Sequence, residues 1–253
     1  MNFINEFGPF CKILAEQSST VIRQYFRKQI EVDSKSDNSP VTIADKKSEE
    51  MMRNLIQREF PEHGIIGEEF GQENADADFV WVLDPIDGTK SFICGALSFG
   101  TLIALLYKEK PVLGIINHPI LNEFLIGDNN TCLLNDNRVN VRKKENLSEA
   151  VLLTTDHLNI KKYQNEEKFN QLIDSVWLYR NWGDCYGYYL VATGFADIMI
   201  DPIMSVWDTM ALIPIINGAG GVITDYQGND PVKGNSIIAA SPKIHSKVIE
   251  ILN

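Results

Sequence analysis

Trp81-Val82-Leu83-Asp84-Pro85-Ile86-Asp87-Gly88-Thr89 is the most informative stretch of this 253-residue chain. The apolar run from Phe79 to Leu83 predicts a buried strand. It ends in two carboxylates held apart by Pro85 and Ile86, followed by a glycine and a hydroxyl. Proline fixes φ and removes a backbone donor, so the chain is expected to leave the strand sharply at this point. Asp84 and Asp87 then converge on one point, with the Ile86 carbonyl between them. Hard oxygen ligands of that kind suit Mg²⁺, which takes one or two carboxylates plus waters and phosphate oxygens. Gly88 and Thr89 offer backbone N–H groups beside that point, at the start of a helix whose N-terminus favours an anion. A metal next to an anion cradle is the chemistry of phosphate-ester hydrolysis. An isolated D-x-x-D is more often a capped turn with solvated aspartates. The apolar strand in front and the glycine and hydroxyl behind argue against that here.

The composition is that of a globular protein, with 44% hydrophobic and 23% charged residues, so one large domain or two packed halves can form. A net charge of −11 argues against nucleic acid as the main partner, because phosphate backbones need a basic surface. It leaves room for a small phosphorylated substrate, since bound cations supply positive charge locally. Cys11, Cys94, Cys132 and Cys185 form no C-x-x-C pair, which fits a reduced, cytoplasmic setting. His63, His118, His157 and His245 are scattered without zinc-site spacing and read as surface or structural residues. Neither a signal peptide nor a membrane span of about 18 apolar residues is expected.

Residues 3 to 26 carry apolar side chains at helical spacing, with Pro9 marking the first turn. The polar segment Asp33 to Pro40 reads either as a surface loop or as a flap that brings Lys35 to the site. Ala44 to Phe60 reads as a second helix. Asp45 falls in its first turn, where helix capping and a role in the site are both open. Gly64 to Gly67 is a brief strand ending in Glu68-Glu69, so either acid could join Asp84 and Asp87 at one sheet edge. The acidic loop Gly71 to Asp78 is expected to be exposed. Phe99 to Tyr107, Val112 to Asn117, Glu123 to Gly127 and Cys132 to Val141 then form a meandering, mostly antiparallel sheet.

From about residue 148 strands and helices alternate, which predicts an α/β layer. The strands are Val151 to Thr155, Val176 to Tyr179, Ala196 to Ile200, Gly221 to Thr224 and Ser236 to Ala240. The helices are Glu166 to Ser175, Cys185 to Thr193, Thr209 to Asn217 and Pro242 to Leu252. No linker composition separates the halves. One catalytic domain is therefore expected over 1–253, with an α+β subdomain at 1–147 and an α/β subdomain at 148–253. Trp207-Asp208 reads as a helix N-cap or a further acid of the site. Gly220-Gly221 permits close packing or a left-handed turn. Arg180 to Tyr188 is dense in aromatic, glycine and charged residues, as either a binding segment or an N-cap at Asp184 with packed rings.

Gly67-Glu68-Glu69, Asp84-Pro85-Ile86-Asp87-Gly88-Thr89 and Trp207-Asp208 with Gly218-Ala219-Gly220-Gly221 together resemble the inositol monophosphatase family, over the length of the chain. The resemblance implies an αβαβα layered α/β fold and Mg²⁺-dependent phosphomonoester hydrolysis, with about two or three ions per site. It also implies inhibition by Li⁺ and a homodimer. Residue by residue, it implies that Glu68 (rather than Glu69), Asp84, the Ile86 carbonyl, Asp87 and Asp208 hold the metals. It gives Asp45 and Thr89 the task of orienting and deprotonating the attacking water, and Gly88 and Thr89 that of cradling phosphate. Arg180, Gly183, Asp184 and Asp201, with Asp87 and Asp208, are the implied substrate contacts. Lys35 stands one residue out of step with some relatives, and Asn181 replaces a small hydroxyl residue.

Trp182-Gly183-Asp184-Cys185-Tyr186-Gly187-Tyr188, with Lys90-Ser91-Phe92 and Gly100 to Leu105, resembles the histidinol-phosphate phosphatase branch. Histidinol phosphate carries an ammonium and an imidazole, and Asp184 with Asp201 would place negative charge beside them. Inositol phosphate, a 3′(2′),5′-bisphosphate nucleotide and fructose bisphosphate are the alternative substrates. A non-catalytic regulator on the same fold is the alternative of another class, and the intact set of carboxylates argues against it.

Overall fold

The structure is a computed structural model that describes residues 3–34 and 40–253. Lys35 lies outside the described residues. Helix α1 (Phe3–Tyr25) leads through a two-stranded ribbon, β1 (Val32–Ser34) and β2 (Pro40–Thr42), into α2 (Ile43–Glu59). Strands β3 (Gly64–Gly67), β4 (Gly71–Glu73) and β5 (Phe79–Asp87) follow, then the short α3 (Thr89–Ile93). Next come β6 (Gly100–Tyr107), β7 (Lys110–His118), β8 (Glu123–Gly127), β9 (Cys132–Leu134) and β10 (Asn137–Arg138). The remainder runs β11 (Val151–Leu153), α4 (His157–Tyr163), α5 (Glu166–Ser175), β12 (Leu178–Arg180), α6 (Asp184–Ala192), β13 (Ile198–Asp201), α7 (Val206–Thr209), α8 (Leu212–Gly218), β14 (Val222–Thr224), β15 (Ile237–Ala240) and α9 (Pro242–Leu252).

Among the described residues, β3 to β10 form one eight-stranded sheet in the order β10-β9-β8-β7-β6-β5-β3-β4, and β11 to β15 a five-stranded one in the order β12-β11-β13-β15-β14. In the larger sheet neighbours are antiparallel except β3 and β5. That parallel pair puts the ends of both strands at one edge, so Glu68 and Asp84 arrive on the same side.

Side-chain alternation along the strands stacks the layers. Trp81, Leu83, Ile103, Leu105 and Ile115 turn toward α1 and α2, where they meet Phe7, Leu14, Met52 and Ile56. Val80, Val82, Leu102, Ala104 and Ile116 turn the other way, against α6 and α8. Those helices are covered on their far side by Leu153, Met199, Ile237 and Ala239 of the smaller sheet. Leu152, Ile198, Ile200 and Ile238 face outward again, onto α4, α5 and α9 through Ile160, Phe169, Leu172, Ile244 and Val248. Helix, sheet, helix, sheet, helix is the resulting order, the αβαβα arrangement expected from the sequence.

Local departures have local causes. Strand β5 does not end at Pro85 but runs to Asp87. Asp84 pairs with Leu102 and Asp87 with Gly100, so β5 carries one extra residue there, a β-bulge that accommodates the proline inside a strand. Helix α1 passes through Pro9 instead of starting at it. The lost hydrogen bond is offset by Phe7, which packs on Phe60, Phe79 and Trp81. The helix expected over Thr209 to Asn217 is two, because Pro214 has no N–H to offer a continuous helix and instead sits in the first turn of α8. Helix α4 had no counterpart in the sequence reading.

Candidate active site

The bulge of β5 turns Asp84 and Asp87 the same way, and α7 brings Asp208 across from the second half. One carboxylate oxygen of each lies within 4.8 Å of the others. Asp84 is 2% exposed, and its Oδ1 is buried without a hydrogen-bond partner. A buried orphan oxygen is costly unless something binds it. Burial, with Glu68, Asp87 and Asp208 close by, pushes the Asp84 carboxyl well above the usual carboxylate range. Burial, with Asp184 and Asp208, does the same to Asp87. Asp208 is pushed up to about 7 by burial, against the pull of the Ser205 N–H at 2.7 Å. Acids brought together in this way could hold a metal ion, which would turn their repulsion into attraction. Glu68 stands beside the triad, half-buried, its N–H tied to the Leu83 carbonyl at 3.2 Å.

The two oxygens of Asp45 have separate partners, one of them the helix cap. Asp45 Oδ2 accepts from the Thr42 N–H at 2.9 Å and hydroxyl at 2.6 Å, closing a capping box. Its Oδ1 faces the Thr89 hydroxyl at 3.4 Å. That hydroxyl also lies 3.1 Å from the Ile86 carbonyl oxygen. Burial lifts the Asp45 carboxyl to about 6. Asp208 is not an N-cap: Ser205 caps α7, and Asp208 sits in the first turn and accepts its N–H.

The second half closes the cleft. Asp87 accepts from the Cys185 N–H, at the start of α6. Gly183, not Asp184, is the N-cap of α6, and a Cβ there would lie 2.1 Å from the Thr155 Cα. Asp184 follows with a φ of 51°, in the left-handed region where a non-glycine residue is strained. Its N–H donates to Thr155 Oγ1 at 2.8 Å, and its Oδ2 accepts from Ser91 at 3.3 Å. Burial lifts its carboxyl to about 6, while the Ser91 hydrogen bond and Lys90 pull it back. Asp201 is 3% exposed, and both its oxygens are engaged: Oδ1 by the Thr155 N–H at 3.0 Å, Oδ2 by the Tyr188 hydroxyl at 2.9 Å. Two adjoining hollows result. One is lined by Asp87, Asp201 and Asp208, the other by Glu68, Gly88 and Thr89, and Asp184, Thr155 and Asp156 line both. Arg180 stands apart, exposed at the end of β12, with its guanidinium on the Tyr179 carbonyl.

Thr155 was absent from the expected set although it touches both Asp184 and Asp201. Its place at the carboxyl end of a predicted strand was the available signal, since ligands gather there in α/β sheets.

Across residues 9–253 the chain matches the model of the inositol monophosphatase family. It is 43% identical to the bifunctional phosphatase IMPL2, chloroplastic, of Arabidopsis thaliana, over 98% of this chain and 75% of that protein. It is 37% identical to a histidinol-phosphatase of Chlorobaculum parvum, over 90% of this chain and 89% of that one. An inositol monophosphatase from Zymomonas mobilis superposes with a TM-score of 0.87 at 35% identity, covering 100% of this chain and 99% of that one. The layered fold and these relatives are those of a phosphoric monoester hydrolase, and the chain belongs to the inositol monophosphatase family.

Proposed function

We propose that this phosphatase hydrolyses histidinol phosphate, with Mg²⁺ held by Glu68, Asp84, the Ile86 carbonyl, Asp87 and Asp208. Bound there, Mg²⁺ would supply Lewis acidity to the phosphoryl oxygens and to a water. The chain's own residues do the rest. The Thr89 hydroxyl orients the water and passes a proton to Asp45 Oδ1, whose raised pKa suits a base near neutrality. The Gly88 and Thr89 N–H groups, at the turn into α3, hold the phosphate.

The observation that carries the substrate is the acid left over. Divalent ions would neutralise Glu68, Asp84, Asp87 and Asp208, yet Asp184 and Asp156 also line the cleft. A neutral polyol meets them with hydroxyl hydrogen bonds alone, whereas an ammonium or imidazolium adds attraction between opposite charges. Asp184 contacts that cation, and Gly183 keeps its turn close to Thr155. Asp201 acts through Thr155 and Tyr188, which hold Asp184 and the cleft wall in place. Relatives named histidinol-phosphatase in Chlorobaculum parvum and Mycobacterium tuberculosis support the reading.

Phosphate release with Mg²⁺ from histidinol phosphate, inositol 1-phosphate, a 3′,5′-bisphosphate nucleotide and fructose 1,6-bisphosphate tests it. Histidinol phosphate should give the highest kcat/KM. Asp184→Asn should remove on the order of 1.5–3 kcal/mol, tenfold or more, on that substrate and spare p-nitrophenyl phosphate. Preference for inositol phosphate by the wild type, or equal losses on both esters in the variant, would refute it.

A further inference from the structure

Glu49 lies one turn beyond Asp45 on α2 and is fully enclosed. Carboxylates are rarely buried unless paired and hydrogen-bonded. Here Oε1 accepts from Arg53 Nε at 2.8 Å and from the Phe70 N–H at 3.2 Å, and Oε2 accepts from the Glu69 N–H at 2.7 Å. Two of the three donors belong to the turn that follows β3. Arg53 donates to the Gly71 carbonyl at the far side of the same turn. A Cβ at Gly67 would lie 1.9 Å from Glu49 Oε1, so the missing side chain there is what lets the carboxylate reach in.

Glu68 is the residue in the middle of this clamp. On its other side its N–H is held by Leu83, the residue before Asp84. A buried ion pair adds little to stability by itself, and an apolar pair would serve the helix as well. An apolar pair would not accept hydrogen bonds from two consecutive backbone N–H groups.

We propose that Glu49 is a positioning residue for the metal centre: it fixes the turn that aims Glu68 at the Asp84, Asp87 and Asp208 cluster, and so sets metal affinity without touching metal or substrate. This rests on Glu68 being a metal ligand, as proposed above. Outer partners that orient metal ligands typically contribute about 10–100-fold in affinity.

Calorimetric titration of Mg²⁺ into the metal-stripped protein, with the Mg²⁺-induced rise in Tm, separates the possibilities. Glu49→Gln keeps the volume but offers one acceptor oxygen instead of two. It should raise the Mg²⁺ Kd about tenfold and shrink the Tm rise. Glu73→Gln, which removes a charge 3.9 Å from the same Arg53 on its exposed side, should leave both unchanged. A lower metal-free Tm with an unaltered Kd in Glu49→Gln would make its role purely structural and overturn the proposal. Glu68→Gln distinguishes the two levels. If it leaves Kd unchanged, Glu68 is not a ligand. If it weakens binding and Glu49→Gln does not, only the positioning role fails. Should Glu49→Gln not fold, Gly67→Ala displaces the same carboxylate from the opposite side. It must weaken Mg²⁺ likewise, and an unchanged Kd there is equally fatal.

Discussion

A Cβ on Gly88 would lie 2.9 Å from Oδ2 of Asp184. The glycine that follows the acidic motif of β5 and the acid that opens α6 therefore share one small volume, although they come from opposite halves of the chain. Gly88 also has a φ of 89°, which a side chain would strain. Gly88→Ala should push the two apart and misplace the phosphate turn, costing roughly a hundredfold in kcat/KM. Initial rates, with circular dichroism to show a retained fold, check this. Wild-type kcat/KM would mean that the contact is without consequence.

Thr89→Ala removes the hydroxyl between Asp45 and the Ile86 carbonyl. An oriented proton acceptor matters chiefly in the transition state, so kcat should fall by about a hundredfold or more while KM changes little. Steady-state kinetics at saturating Mg²⁺ read both. A change in KM alone would reduce Thr89 to a phosphate contact.

Asp84→Asn should act in opposite directions with and without metal. The substitution relieves a buried, orphaned, mutually repelled carboxylate, so the metal-free protein should melt no lower than wild type. The rise in Tm on adding Mg²⁺ should be largely lost, and activity should drop by orders of magnitude. Thermal melts in EDTA and in Mg²⁺ provide the comparison, and a full Mg²⁺-induced rise in the variant would remove Asp84 from the ligand set.

The pH dependence has a definite sign. Asp45, Asp201 and Asp208 have carboxyls raised to about 6, 7 and 7 in the folded protein. A raised carboxyl keeps its proton in the folded state after the unfolded chain has lost it. The associated stability is thus present below about pH 4 and lost as pH climbs through about 7. Metal-stripped protein should melt progressively lower over that window. With Mg²⁺ present the decline should shrink or reverse, because the cation compensates the newly formed charges. A metal-free Tm that rises with pH across the same range would contradict the assignment of these shifts.

The strands of the two larger sheets were legible from apolar runs and turns, as in Phe79 to Leu83, while the layer order was legible only through the resemblance. Asp84 and Asp87 were legible because D-P-I-D-G-T is a local motif, whereas Asp208 was assigned to the site only through the resemblance. What was not legible depends on distant partners. The extension of β5 past Pro85 required β6 to supply Gly100 opposite Asp87. Glu49 gave no local signal, and Thr155 gave only its place at the carboxyl end of a predicted strand, since a glutamate in a helix and a threonine at a strand end are common. Their importance comes from what folds against them. Asp201 lines the cleft with Asp87 and Asp208, but the hold of Thr155 and Tyr188 on its oxygens was not legible. Arg180 was expected at the substrate from its neighbours in sequence, and its carbonyl contact lies outside the cleft linings.

The hydrogen bond from Cys185 to Asp87 joins residues 98 positions apart. Closing so long a stretch of chain has an entropic cost that is recovered only when the two sheets dock through α6 and α8. The acid cluster is therefore expected to assemble late in folding. A cation in the refolding buffer would meet scattered carboxylates until that moment, so it should do little to hasten folding. Its influence is expected on the return journey, where a bound metal would lengthen the lifetime of the native state by slowing escape from it.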